Sequence, residues 1–205
     1  MKKLALIGYS AQTREIIPRL KEPYDIFIND DYASVLNPTF DYMLLSTFDP
    51  TKYMALITIG NPESRIKLFN ILPPETEYYT FIDETVKILD PTTVTIESGC
   101  IICAGVVLTT NIKIGTNSHI NINSTICHDN TIGMFFTTAP GVNISGNCNI
   151  GNNVYIGTNS SVKQKTTICD NVVIGMNSGV NKDIVKSGTY VGTPIRFLKD
   201  GYKAF

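Results

Sequence analysis

The chain has 205 residues, long enough for one large domain or two small ones around a buried core. With 43% hydrophobic and only 17% charged residues it is neither a disordered chain nor a charge-laced helical bundle. Seventeen Lys and Arg against eighteen Asp and Glu leave a net charge of −1, which excludes a nucleic-acid or membrane-surface binder held by bulk electrostatics. No apolar run approaches the roughly 20 residues that span a bilayer. The opening stretch Leu4 to Ile7 is too short for a signal peptide, so the expected location is the cytoplasm.

Before residue 88 strand-like and helix-like patches alternate. Leu4 to Ile7 reads as a strand ending at Gly8, and Thr13 to Lys21 as a helix that Pro18 kinks or shortens. Tyr24 to Ile28 is a second strand, stopped by Asn29-Asp30-Asp31, and Met54 to Ile59 a third, ending at Gly60. Asn61 can cap the next helix, Pro62 fits its first turn, and Pro73-Pro74 stops it. Strands alternating with helices predict a small Rossmann-like α/β domain with a parallel sheet over residues 1–88.

From residue 94 onward the texture changes to Ile, Val, Asn, Gly and Thr, and a repeat decides the fold. Every sixth residue from Ile96 to Val180 is aliphatic, with Thr138 the exception. Two residues before most of these lies a second series, mostly small or aliphatic, among them Cys100, Val106, Ile112, Ser118, Ser124, Val142, Cys148 and Val154. A period of six is neither the 2 of a strand nor the 3.6 of a helix. Each hexapeptide is a short strand plus a corner, three close one triangular coil, and residues eighteen apart stack about 4.8 Å from each other. Gly at 115, 133, 151, 157 and 175 and the recurrent Asn are expected to supply left-handed corners. The prediction is a mainly β protein whose residues 89–205 form a parallel β-helix with a short tail.

The five cysteines read as small apolar fillers: Cys100-x-x-Cys103 has no second pair to complete a zinc site. Only two histidines occur, His119 and His128, too few for a three-histidine metal centre, so no metal is expected. His128 lies two residues after an interior Ile, off the core-facing positions. One coil later stands Gly146, which leaves room beside an imidazole and exposes a backbone N–H. Imidazole titrates near neutrality and suits proton abstraction from an amine, and a bare N–H suits a developing oxyanion. Asp129 can orient the imidazole or simply serve a corner turn.

Hexapeptide repeats of this kind resemble those of the left-handed parallel β-helix acyltransferases. The α/β domain, the run Asn123-Ser124-Thr125-Ile126-Cys127-His128-Asp129 followed by Ile132-Gly133, the segment Asn147 to Gly157, and the ending Tyr190 to Arg196 resemble the NeuD/PglD family of sugar O-/N-acetyltransferases. The resemblance covers nearly the whole chain. It implies a transferase with His128 as general base, Asp129 beside it, and the Gly146 amide polarising a thioester carbonyl, with direct transfer and no covalent intermediate at Cys127. It implies acetyl-CoA as cosubstrate, held by Thr137, Gly146, Thr158 and Met176 between subunits of a homotrimer. It implies a nucleotide-sugar held by Gly8, Ser10, Ala11, Gln12, Asp30, Asp31, Gly60 and Asn61, most simply a UDP-4-amino-4,6-dideoxyhexose. The chain departs from the family pattern in three places. Cys127 stands where an acidic residue commonly precedes the histidine, Thr137 replaces a second histidine, and Ser10-Ala11-Gln12 replaces a glycine-rich turn. His119, one coil below Thr137, could partly replace that histidine or be a plain surface residue. Alternatives to N-acetylation are O-acetylation of a sugar hydroxyl and a non-catalytic solenoid. No sustained threonine row supports the solenoid, and it leaves the α/β domain unexplained.

Overall fold

The computed structural model describes residues 2–33 and 40–202. Two compact units divide the chain after Thr80.

In the first unit β1 (Lys3–Ile7) is followed by α1 (Ala11–Ile16), β2 (Tyr24–Ile28) and a single turn α2 (Asp30–Ala33). Then come a short β3 (Met43–Leu44), β4 (Tyr53–Ile57) and α3 (Pro62–Ile71). Pro18 shortens α1 as expected: the α-helix stops at Ile16 and a 3-10 turn takes over at Ile17–Arg19. All pairings are parallel in the order β3-β2-β1-β4, so the central strand β1 is flanked by β2 and β4. Burial on both faces explains the near-continuous apolar runs. Ala5, Ile7, Phe27, Ala55 and Ile57 form its core with Leu45, Phe48, Leu68 and Leu72. Gly8 ends β1 at φ +90°, and a Cβ there would lie 2.5 Å from Ile59 Cδ1, so this turn requires glycine. The short β3, only two residues long, carried no pattern from which the sequence could predict it.

The second unit is a coil of parallel rungs on three faces. One face stacks residues 94–96, 112–114, 130–132, 149–150 and 167–168. The next stacks 81–82, 101–102, 119–120, 137–138, 155–156, 172–174 and 188–191, closed by an antiparallel strand at 196–199. The third stacks 87–88, 107–108, 125–126, 143–144, 161–162 and 179–180. The coil therefore starts at Phe81, earlier than the boundary after residue 88 that the sequence suggested, because 81–82 and 87–88 already pair with 101–102 and 107–108. The early rungs escaped notice because the step from Ile88 to Ile96 is eight residues instead of six, which breaks the ladder.

The aliphatic ladder is the interior: Ile102, Leu108, Ile114, Ile120, Ile126, Ile144, Ile156 and Ile174 are all at most 1% exposed. Thr138 is fully buried too, and its hydroxyl is used, accepting from the Asn121 N–H at 2.8 Å and bonding Ser124 Oγ at 3.1 Å. The left-handed corners come every sixth residue from Gly99 to Asn177, and Asn fills most of them. The glycines at 115, 133, 151, 157 and 175 are not among them, which corrects the expectation from sequence. They answer crowding: a Cβ on Gly133 would lie 2.7 Å from the backbone carbon of Gly151 in the next coil. Replacing interior Ile168 by Ala should cost about 2–5 kcal/mol. Replacing its outward-facing neighbour Thr167 by Ala should change stability by less than about 0.5 kcal/mol. Urea unfolding of both variants checks this.

Candidate active site

His128 sits at the corner between the rung 125–126 and the rung 130–132. Asp129 follows in the left-handed region, φ 59°, a conformation that Asp tolerates better than most residues. The turn brings the two side chains together: His128 Nδ1 lies 2.6 Å from Asp129 Oδ2, with the side chains 50% and 43% exposed. An ionised carboxylate only accepts, so Nδ1 carries the hydrogen and donates it. In the neutral ring this tautomer leaves Nε2 with its lone pair. The Asp129 carboxyl is held below the ordinary carboxylate range, first by the Asn111 amide and then by His128.

Gly146, eighteen residues on, occupies the same edge one coil later. The imidazole lies against it. A Cβ at Gly146 would be 2.6 Å from Nε2 and 2.9 Å from Nδ1 of His128. The Gly146 carbonyl accepts from Lys165 N–H at 2.9 Å, while among the described residues its own N–H makes no backbone bond. A proton acceptor and a hydrogen-bond donor thus share one corner.

Beneath them Asn130 is 1% exposed and fills the interior position that the small-and-aliphatic series left open. Its amide donates to Cys127 O at 2.6 Å and Ser145 O at 3.0 Å, and its oxygen accepts from Cys148 N–H at 3.0 Å. It ties the corner of His128 to the corner of Gly146. Sequence reasoning missed it, although a polar residue in an interior slot was the available signal.

The other predicted cofactor residues do not join this edge. Thr158 and Met176 stack on the corner between the rungs 155–156 and 161–162, and Thr137 lies within the rung 137–138, where it is buried. His119 is not a surface residue. It is 1% exposed, with Nε2 3.4 Å from Cys103 Sγ. Cys127 is half-buried, and all five cysteines are unpaired with one another. Among the described residues no group of three or more His, Cys, Asp or Glu is placed to hold a metal ion.

In the first unit the predicted acceptor residues gather at the carboxyl ends of the strands. Ser10 is the N-cap of α1: its hydroxyl accepts from Gln12 N–H at 3.1 Å and donates to Thr58 O at 2.8 Å, so it is already committed. Ala11 is exposed and Gln12 buried. Asn61 caps α3, accepting from Ser64 N–H at 2.9 Å. Arg65 stands one turn later in α3. It is 2% exposed and clamps the loop by donating to Ile59 O and Gly60 O at 3.2 and 2.9 Å. Asp30 and Asp31 line a cavity of about 320 Å³ with Asn29, Ser46, Phe48 and Leu72, and none of Gly8, Ser10, Gly60 or Asn61 lines it. The Ser46 hydroxyl and N–H hold the Asp30 carboxyl below its ordinary value.

Asp129 has a lowered carboxyl, and Asp90, bonded by Thr92, Thr93 and Thr110, is lowered to about 2. A depressed folded-state value gives stability that is present above the unfolded value, near 3.9. That stability is lost as pH falls through the folded value. Stability should therefore hold down to about pH 4 and decline from there toward pH 2. The variant Asp90→Asn should flatten that decline, as read by urea unfolding at fixed pH values.

The bacterial transferase hexapeptide (six repeats) family matches residues 147–182. Among curated proteins there is no match. Solved structures with the same fold include the acetyltransferase domain of PglB from Neisseria gonorrhoeae FA1090. It is 21% identical with a TM-score of 0.84, over 97% of this chain and 100% of that one. A His→Ala variant of GDP-perosamine N-acetyltransferase from Caulobacter crescentus, in complex with CoA and GDP-perosamine, is 20% identical with a TM-score of 0.84 over 98% of each chain. WeeI from Acinetobacter baumannii AYE is 29% identical with a TM-score of 0.83, over 97% of this chain and 100% of that one. The chain thus carries bacterial transferase hexapeptide repeats and has, over nearly its whole length, the fold of the PglB acetyltransferase domain and of GDP-perosamine N-acetyltransferase.

Proposed function

We propose that the chain is an acetyl-CoA-dependent N-acetyltransferase acting on the amino group of a nucleotide-linked amino sugar, with direct transfer and His128 as general base. The observation that carries this is the His128–Asp129 pair standing over Gly146 at one exposed corner. Nε2 takes a proton from the acceptor amine as its nitrogen attacks the thioester carbonyl. The oxygen of the tetrahedral intermediate accepts from the Gly146 N–H. Collapse breaks the carbon–sulfur bond, and the imidazolium returns its proton to the departing CoA thiolate. Asp129 holds the ring in the required tautomer and stabilises its cation, as a carboxylate does in other histidine sites. The solved PglB domain bound to acetyl coenzyme A supports the cosubstrate.

Substrate placement belongs to the same reading. The order β3-β2-β1-β4 is that of the first half of a doubly wound sheet, where ligands lie beyond the carboxyl ends of the strands at the point where the order reverses, here between β1 and β4. The loops Gly8 to Gln12 and Gly60-Asn61 flank that point, and Asp30 and Asp31 follow the neighbouring β2. This Rossmann-like unit is read as the nucleotide-sugar holder. A UDP-4-amino-4,6-dideoxyhexose remains the simplest candidate, with the Caulobacter crescentus structure showing that a neighbour of this fold holds GDP-perosamine.

Thr137, Thr158 and Met176 stand off the His128 corner of the same copy, and in this reading the coil is left-handed and the chain a homotrimer, so that a groove for acetyl-CoA on the convex coil takes its second wall from another copy. No described helix is long and apolar enough to cross a membrane, in keeping with a cytoplasmic location. O-acetylation of a sugar hydroxyl asks for a stronger base. Asp129 engages His128 although Cys127 stands where an acid commonly precedes the histidine, so the preference for nitrogen rests on the N-acetyltransferase neighbour.

In an acetyl-CoA assay with a panel of nucleotide-linked amino sugars, His128→Asn should lower kcat by about 10²–10⁴-fold with little change in stability. Full activity in that variant would return His128 to a corner role. By calorimetry, Asp31→Ala should weaken nucleotide-sugar binding and leave acetyl-CoA binding unchanged. Loss of both together would break the division into two sites.

A further inference from the structure

The Asp129 carboxylate is shared. Oδ2 accepts from His128 Nδ1, and Oδ1 accepts from Asn111 Nδ2, also at 2.6 Å. Asn111 stands one coil earlier at the same left-handed corner, φ 52° against 59° for Asp129. Its own N–H donates to Thr93 Oγ1 at 2.8 Å. Thr93 Oγ1 bonds Asp90 Oδ2 at 2.8 Å and Thr110 Oγ1 at 3.0 Å, and Thr110 Oγ1 donates to Asp90 Oδ2 at 2.9 Å. The turn that supplies Asp90 to Thr93 lies in the one eight-residue step of the ladder, between Ile88 and Ile96. A continuous chain of hydrogen bonds thus runs up one edge from the irregular first coil to the imidazole.

The pair His128–Asp129 needs such support. A half-exposed histidine and carboxylate, each free to rotate about two side-chain bonds, hold one another weakly in water. With one carboxylate oxygen anchored from below, the plane of the group is fixed. The other oxygen is then kept on Nδ1. We propose that Asn111 is a positioning residue for the acyl transfer, orienting the Asp129 carboxylate so that His128 is held as the Nδ1–H tautomer with Nε2 free beside Gly146. This deepens the reading of His128 as general base and rests on it for its catalytic consequence, though not for its structural one.

The test uses the full chain labelled with ¹⁵N, free of ligands. Imidazole nitrogen shifts report the tautomer, and with only two histidines the His128→Asn variant assigns them. Asn111→Gly keeps the left-handed corner, which glycine adopts freely, and removes only the donor. The wild type should show His128 overwhelmingly as the Nδ1–H form, and Asn111→Gly should show a mixture of both tautomers. Asn111→Asp preserves size but sets a carboxylate against a carboxylate, and it too should lose the single tautomer. In the acetyl-transfer assay Asn111→Gly should lower kcat about tenfold, with KM for acetyl-CoA and the thermal midpoint little changed, as expected for misplacement of a reacting group. A wild-type tautomer in Asn111→Gly overturns the proposal, whatever happens to the rate. A shifted tautomer in a chain whose wild type acetylates no amino sugar keeps Asn111 as the group that orients His128 and overturns the assigned function instead.

Discussion

A branched aliphatic residue every sixth position can be buried only if the chain turns through a third of a circle every six residues. Everything in the second unit depends on that closure. Rungs stack at the interstrand spacing of about 4.8 Å, so any two residues eighteen apart become neighbours. Side chains that point inward are restricted in type: most are aliphatic or small, and polar ones such as Thr138 and Asn130 have hydrogen bonds supplied by adjacent coils. Side chains that point outward are free to vary. The corners are where backbone and outward side chains meet, and that is where the chemistry sits.

The same stacking makes a reactive site from four residues that no single turn could join. His128 and Asp129 are adjacent in sequence, and the left-handed conformation of Asp129 swings the carboxylate back to the imidazole. Gly146 arrives from the coil after and Asn111 from the coil before, each by the eighteen-residue repeat. Half-exposed groups gain little from burial, so the arrangement relies on hydrogen-bond geometry and on a rigid corner, with buried Asn130 holding the two critical turns in register.

The first unit works by a different logic. Its parallel sheet is buried on both faces and its polar residues are pushed to the strand ends, where Ser10 and Asn61 cap helices and Arg65 clamps a loop. Several residues with the chemistry to bind a phosphate are thereby engaged within the fold. Asp30 and Asp31, beyond β2, remain beside an open cavity.

The sequence by itself determined the coil, most of its interior, the left-handed corners at the recurrent Asn and the His128–Gly146 juxtaposition, because period and stacking distance are both properties of spacing. It also placed β1, β2, β4 and the cap at Asn61, which rest on local patterns of a few residues. Only the tertiary structure decided where the coil begins, since the eight-residue step before Ile96 hides the first rungs from a six-residue reading. It alone showed that the recurrent glycines answer crowding between coils, and that Arg65 and His119 are buried. It alone showed that Asp129 is divided between His128 and Asn111. The reason is physical: spacing fixes which residues are neighbours, but which oxygen of a carboxylate meets which partner depends on side-chain torsions that only the packed coil sets.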